Sequence, residues 1–313
     1  MENDKRVELR EKMLKAARSG IKEAYTNEEY ALMQAINAYN EMSRAYNLLY
    51  ERLSEWYGLY FPEIKLTNPA TLANLVLVFT SRNEISEEGI KKVIKDDGQV
   101  QSIIQKARAS IGREMNADEK NAIKSYAKLS VETNSMLEEL EKYLKIASKR
   151  ILPNTAYLTD EKIAAELLSK AGSMERLAVM PASTIQLLGA EKALFKHIKF
   201  GSKPPKYGTL FKFPAVGNAR KDTRGRIARA YAAKIAIALK ADYFSKNFIA
   251  EKLKKDLDES ISRIQKSPVK QKESRNFGHG RFNRFDGRKP NFKKDPKMHG
   301  SNKRHGHRQM RSP

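Results

Sequence analysis

From Leu32 the apolar positions of this chain step by three and four residues, through Ala35, Tyr39, Met42, Tyr46, Leu49, Leu53, Trp56 and Tyr60. That spacing draws one stripe along a helix for about four heptads. Residues 5–60 therefore read as one or two long helices, closed by Gly58 and Pro62, since proline cannot continue a helix. A second stripe runs Ile123, Tyr126, Ser130, Thr133, Leu137, Leu140, Leu144, Ala147 and Ile151, and Pro153 stops it. Two long helices with matching stripes predict an antiparallel helical hairpin over residues 20–152, with residues 61–105 as a helical insert at its tip. In the tip, Asn68-Pro69 opens an apolar helix to Phe79, and Ser86-Glu87-Glu88 opens another. Residues 1–19 predict an amino-terminal helix leading in. The stripes suit either the inner core of the hairpin or a coiled coil between two copies. For the second reading the dimer seam is Leu32, Tyr39, Met42, Tyr46, Leu49, Leu53, Leu137, Leu140 and Leu144.

Residues 153–248 predict a separate compact helical unit. Glu161 to Lys170 is amphipathic and ends at Gly172, Ser173-Met174-Glu175-Arg176 begins a helix, and Pro181-Ala182-Ser183 begins another. On that last helix Ile185, Leu188 and Phe195, with Ala193 or Leu194, are expected on the buried face. Gly201 and Pro204-Pro205 end it, and Tyr207 to Phe211 reads as a short extended segment. From Asp222 a long helix carries Ile227, Ala230, Tyr231, Ile235, Ala238 and Leu239. Residues 249–266 predict a helical extension, and residues 267–313 have the composition of a disordered basic tail. The fold class is all-α.

Charge changes the picture because it is localised. Residues 1–189 hold 27 basic and 27 acidic side chains. Residues 190–240 hold thirteen Lys and Arg against Glu191 and Asp222, a net of +11 out of +23 for the chain. Residues 267–313 add fourteen basic against three acidic. Such segregation points to a polyanion, nucleic acid first. Lys192, Lys196 and Lys199 share one helical face, as do Arg226 and Arg229 on the later helix. Lys203, Lys206, Lys212, Arg220, Lys221 and Arg224 lie on the connections, with His197 and Lys234 on the helices themselves. If the two helices pack as neighbours, these thirteen residues make one RNA-binding surface in which Lys and Arg hold phosphates. In the tail, Phe277, Phe282, Phe285 and Phe292 sit among basic residues and glycines, a pattern that suits phosphate attraction and base stacking.

Other chemistries find little support. The chain has no cysteine, which excludes disulfides, thiolate metal sites and cysteine nucleophiles. His279, His299, His305 and His307 fall in the tail at spacings that match no structured metal site, so neither a metal nor another cofactor is expected. No phosphate loop or nucleophile elbow occurs, and an enzyme is not expected. No apolar run approaches the roughly 18 residues of a membrane span, and residues from Glu2 onward give no export signal, so a cytoplasmic protein is expected.

The order of motifs then matters. Pro181-Ala182-Ser183-Thr184-Ile185-Gln186-Leu187-Leu188, Gly189-Ala190-Glu191-Lys192-Ala193-Leu194-Phe195, Pro204-Pro205-Lys206-Tyr207-Gly208-Thr209-Leu210-Phe211 and Arg224-Gly225-Arg226-Ile227-Ala228-Arg229-Ala230 together resemble the Nop domain. Upstream, Leu48 to Leu53, Glu55-Trp56-Tyr57-Gly58 and Phe61-Pro62 are similar to that family's coiled-coil region. The resemblance implies an archaeal scaffold of C/D-box guide ribonucleoproteins, which direct ribose 2′-O-methylation. Implied partners are a C/D-box guide RNA with a kink-turn and a kink-turn-binding ribosomal-protein homologue, with a homodimer through the coiled coil. Family members carry an amino-terminal domain that binds the methyltransferase fibrillarin. The chain begins almost directly at the coiled-coil region, so fibrillarin is expected to be reached only indirectly. Two rival readings are a helical oligomerisation protein and a general RNA chaperone with a diverged Nop domain.

Overall fold

The computed structural model describes residues 2–266 and Pro268, and in the first helix the side chains of residues 5–22. The basic tail and its histidines and phenylalanines lie outside the described residues. Every regular element among the described residues is helical. The segment Tyr207 to Phe211, expected to be extended, instead turns into a short 3-10 helix at Thr209–Lys212.

The first helix, α1 (Glu2–Tyr25), runs through Gly20 and beyond the expected boundary at residue 19. The chain breaks where Asn27 supplies a cap, its side chain accepting from the Glu29 amide at 3.2 Å, and α2 (Glu28–Tyr57) begins. The return helix α6 (Ala117–Ile151) opens with a capping box between Asn116 and Glu119. Between them the tip holds α3 (Pro69–Val78), α4 (Glu87–Val93) and α5 (Asp97–Arg108). Asn68 and Ser86 cap the first two of these, as their sequences predict. The insert is wider than residues 61–105, because α5 and the loop after it belong to it. That loop is clamped to the start of the tip. The Glu63 carboxylate accepts from the Ser110 hydroxyl at 2.6 Å and the Ile111 amide at 3.0 Å.

The hairpin stripes pack against each other within one chain. Leu32, Tyr46, Leu53, Leu137 and Leu144 are buried, while Tyr39, Met42, Leu49 and Leu140 are half-buried. Five of the nine residues assigned to a dimer seam are thus covered within a single chain, and the other four keep part of their surface.

Two cores result. Leu53, Tyr57, Phe61, Leu75, Val76, Ile90 and Ile123 centre the one at the tip. The other joins the hairpin base to α7 (Pro153–Leu158), α8 (Glu161–Ala171), α9 (Met174–Val179), α10 (Ala182–Leu187), α12 (Pro214–Gly217), α13 (Arg224–Lys240) and α14 (Ala250–Lys266), while α11 (Glu191–Phe200) contributes no residue to it. Leu32, Ile36 and Leu144 of the hairpin share this core with Leu167, Leu168, Ile185, Ile227 and Ile235. The change of composition near Pro153 is therefore not a break in the core. Polar contacts tie the same junction. Lys162 Nζ donates to the Tyr39 hydroxyl at 3.1 Å and pairs with Glu141 at 3.0 Å.

Candidate nucleic-acid interface

The interface is built around a break in a helix. The sequence Pro181 to Phe200 does not form the single helix its pattern predicts. It forms α10 and α11, parted at Gly189, whose φ of 89° suits glycine and disfavours a side chain. The segment Lys206 to Thr209 returns alongside the break. Gly208 donates to the Gln186 carbonyl at 2.9 Å and Thr209 to that of Leu188 at 2.7 Å. The Gln186 amide donates in turn to the Lys206 carbonyl at 2.6 Å. A Cβ at Gly208 would lie 2.1 Å from the Leu188 carbonyl oxygen, so only glycine permits the approach.

The break turns α11 away from the body. Phe195, expected in the core, is 64 % exposed, and no residue of α11 is buried. It is α10, through buried Ile185, that joins the core beside α13. The premise that two basic helices pack side by side is thus replaced by a helix standing off a basic body. Lys192, Lys196 and Lys199 are exposed along one face of α11. Next to that face by helical phase lie exposed Phe195 and Ile198.

The body contributes the start of α13 and the loops before it. The stem of Lys206 runs beside Gly225, within 4 Å of where a Cβ would stand. Arg224 Nε donates to the Ala219 carbonyl at 2.8 Å. Its guanidinium lies 5.6 Å from the centre of the Phe211 ring, and Phe211 stacks on Tyr207 at 5.0 Å. Arg226 and Arg229 are exposed on the same helix, and Lys203 and Lys221 are exposed on the loops. Arg220 reaches Asp222 at 3.6 Å.

Three further expected RNA ligands also have partners within the chain. Lys212 pairs with Glu166 of α8 at 2.5 Å. Lys234 pairs with Asp256 of α14 at 2.8 Å, and that hydrogen bond holds the Asp256 carboxyl below the usual carboxylate range. The His197 ring, half-buried, bonds through Nδ1 to the Ser202 carbonyl at the end of α11. Each of the three thus has a polar partner within the chain. Sequence reasoning missed the Tyr207–Phe211–Arg224 stack and the outward turn of Phe195 and Ile198. The glycines at 189 and 208 were the available signal.

No helix among the described residues is long and apolar enough to cross a membrane. Among the same residues no group of His, Asp and Glu side chains is arranged to hold a metal ion.

Comparison with known proteins places the chain in a family. The profile of the Nop family, described as snoRNA binding domain, fibrillarin, matches residues 38–263. A NOP5 family protein of Methanocaldococcus jannaschii is 36% identical over 251 residues, covering 79% of this chain and 59% of that protein. Nucleolar protein 58 of Candida albicans is 37% identical over 215 residues, covering 68% of this chain and 42% of its own. Nucleolar protein 56 of Mus musculus is 32% identical over 249 residues, covering 77% and 43%. A chain in the solved fibrillarin/Nop5p complex aligns at 24% identity and a TM-score of 0.44, over 82% of this chain and 77% of that chain. The present chain spans only 42% to 59% of the length of these curated relatives. With the family's profile matched from the hairpin through α14, this chain belongs to the Nop family of snoRNA-binding proteins.

Proposed function

We propose that this chain is a non-catalytic scaffold of a C/D-box small ribonucleoprotein that guides ribose 2′-O-methylation. It binds a kink-turn RNA together with a kink-turn-binding protein. The observation that carries this reading is α11, a helix that stands off the body with a basic face of Lys192, Lys196 and Lys199 beside an apolar face of Phe195 and Ile198. Lysines alone suit any polyanion. Lysines flanked by exposed apolar side chains suit a surface that is part phosphate backbone and part protein. Arg224, Arg226, Arg229 and Lys206 extend the phosphate-binding side onto the body. Fibrillarin is reached through the assembled particle rather than by these residues.

Self-association through the hairpin is part of this reading. Much of the stripe between α2 and α6 is covered within the chain, and the pairing proposed here uses the outer face of α6, where Leu129, Met136, Tyr143 and Ile146 are exposed.

A gel shift with a C/D RNA, with and without the kink-turn protein, tests the proposal. Binding should tighten when that protein is present. Lys196→Glu should weaken RNA binding in both conditions, and a Phe195→Ala with Ile198→Ala variant should lose mainly the gain from the protein. Binding indifferent to the kink-turn protein would sink the composite reading.

A further inference from the structure

The helix α1 lies before residue 38, where the family match begins, and every side chain described in it is exposed. Its apolar residues are nevertheless ordered. Val7, Leu14 and Ile21 recur every seven positions, with Ala17 between the last two and Met13 beside them. Val7, Leu9, Met13, Leu14 and Ile21 are each between 49 % and 64 % exposed. An isolated helix of this length is marginal in water, and helices with an apolar stripe owe their stability to what covers it.

We propose that α1 pairs antiparallel with α1 of a second copy of this chain. The charges select both partner and direction. Arg6 and Arg10 lie on the apolar side in the first half of α1, whereas Ala17 and Gly20 occupy that side in the second half. Parallel pairing sets Arg10 against its own copy. Antiparallel pairing sets it over the small residues of the other helix, where its stem has room to lie. With Leu14 facing Leu14 of the second copy, Val7 meets Ile21. Glu11 and Arg18, on one flank of the stripe, then each meet the opposite charge across the pair. The end of the stripe is also shaped to receive a side chain. Ile21, Tyr30, Ala31 and Gln34 line an open cavity of about 780 Å³ where α1 meets α2. In this register Val7 of the second copy arrives at its mouth.

The absence of native cysteine makes the test direct. The full chain carrying Met136→Glu and Tyr143→Glu, which removes the hairpin face as a source of association, is given single cysteines and oxidised in air with a copper catalyst, without RNA. Leu14→Cys should form a covalent dimer well above the Ser19→Cys control on the polar side. Arg6→Cys should not, because antiparallel pairing parts the two copies by about 24 Å at 1.5 Å per residue. Crosslinking of both Leu14→Cys and Arg6→Cys would overturn the antiparallel arrangement, and of neither the pairing itself. In sedimentation, Glu11→Arg should weaken the dimer about tenfold, the scale of two exposed ion pairs turned repulsive. Arg18→Glu added to it should restore the dimer, and failure to restore it would reject the flank pairing. None of these readouts depends on RNA binding, so they stand or fall apart from the proposed function.

Discussion

Asp242 binds Asn154 across 88 residues of sequence, accepting from its backbone amide and its side-chain amide, both at 2.8 Å. Its second oxygen accepts from the amide and hydroxyl of Thr155 at 3.0 and 2.7 Å. A carboxylate at the first turn of α7 thereby fastens the end of α13 to the place where the hairpin enters the body. Asn154 extends the link, donating to the Asn247 carbonyl and accepting from the Ile249 amide. All four groups of this latch are provided by residues that are buried or nearly so, so an alanine at 242 leaves two backbone amides without an acceptor. Asp242→Ala should cost about 3 to 5 kcal/mol, the scale for stranding buried polar groups. Asp242→Asn should cost less but still more than about 1 kcal/mol, because its amide half turns a donor toward donors. Chemical denaturation measures both, and a neutral Asp242→Ala would show that the latch does not hold the junction.

The junction also has a pH signature. The hydrogen bond from Lys162 holds the Glu141 carboxyl below the ordinary carboxylate range, with Lys145 adding to it. For Lys162, burial works against the charge, but its bonds to Tyr39 and Glu141 outweigh this and hold the ammonium above the usual lysine range. A carboxyl lowered on folding stabilises the protein fully above its unfolded value of about 4.3, and that share is lost as pH falls through the lower folded value. The pair is partly solvated, so its contribution is about 0.5 to 1 kcal/mol. The stability gap between the wild-type chain and Glu141→Gln should be present at neutral pH and close in acid, as followed by urea unfolding across pH.

The basic residues should divide by whether an acid already holds them. Charge reversal at Lys192, Lys196 or Arg229 should weaken RNA binding about tenfold or more and flatten its salt dependence, as expected when a phosphate contact is removed. Lys234→Ala and Lys212→Ala should change RNA affinity little, since Asp256 and Glu166 take up those ammonium groups. Filter binding over a salt series separates the two classes, and equal losses in both would mean that the acid pairs open on RNA.

Gly208 should be the most sensitive position of the interface that touches no ligand. A methyl group there meets the Leu188 carbonyl at 2.1 Å, and relief requires the Lys206–Thr209 segment to leave the end of α10. Gly208→Ala should cost about 2 to 4 kcal/mol and weaken assembly with RNA and the kink-turn protein. A melt and a gel shift on one preparation check both, and an unchanged melting temperature would rule out the close approach.

The outer face of α6 gives a further test. Met136→Glu with Tyr143→Glu should remove self-association through the hairpin while leaving helix content intact, because both side chains are exposed. Light scattering beside circular dichroism reads the two quantities, and an unchanged mass in a variant that also carries Leu14→Glu would reject both association faces.

The order of helices followed from residues that act locally. Asn68 and Ser86 capped the helices they precede, Pro153 ended α6, and Gly172 took the left-handed conformation that closes α8. The two heptad stripes fixed the hairpin, and the imbalance of charge after residue 189 marked the region proposed to bind RNA. These features need only near neighbours in sequence, or the sum of a long stretch. What tertiary structure decided were the questions of who covers whom. Periodicity shows that Leu53 and Leu144 share a stripe, but only packing shows that α2 and α6 cover each other. Phe195 has the spacing of a core residue, yet Gly189 rotates its helix into solvent. Lys212 and Lys234 read as free cations in sequence, but folding brings Glu166 and Asp256 beside them from 46 and 22 residues away. A side chain's period is set by its own helix, whereas its burial and its counter-charge are set by other helices, and those meet only in the folded chain.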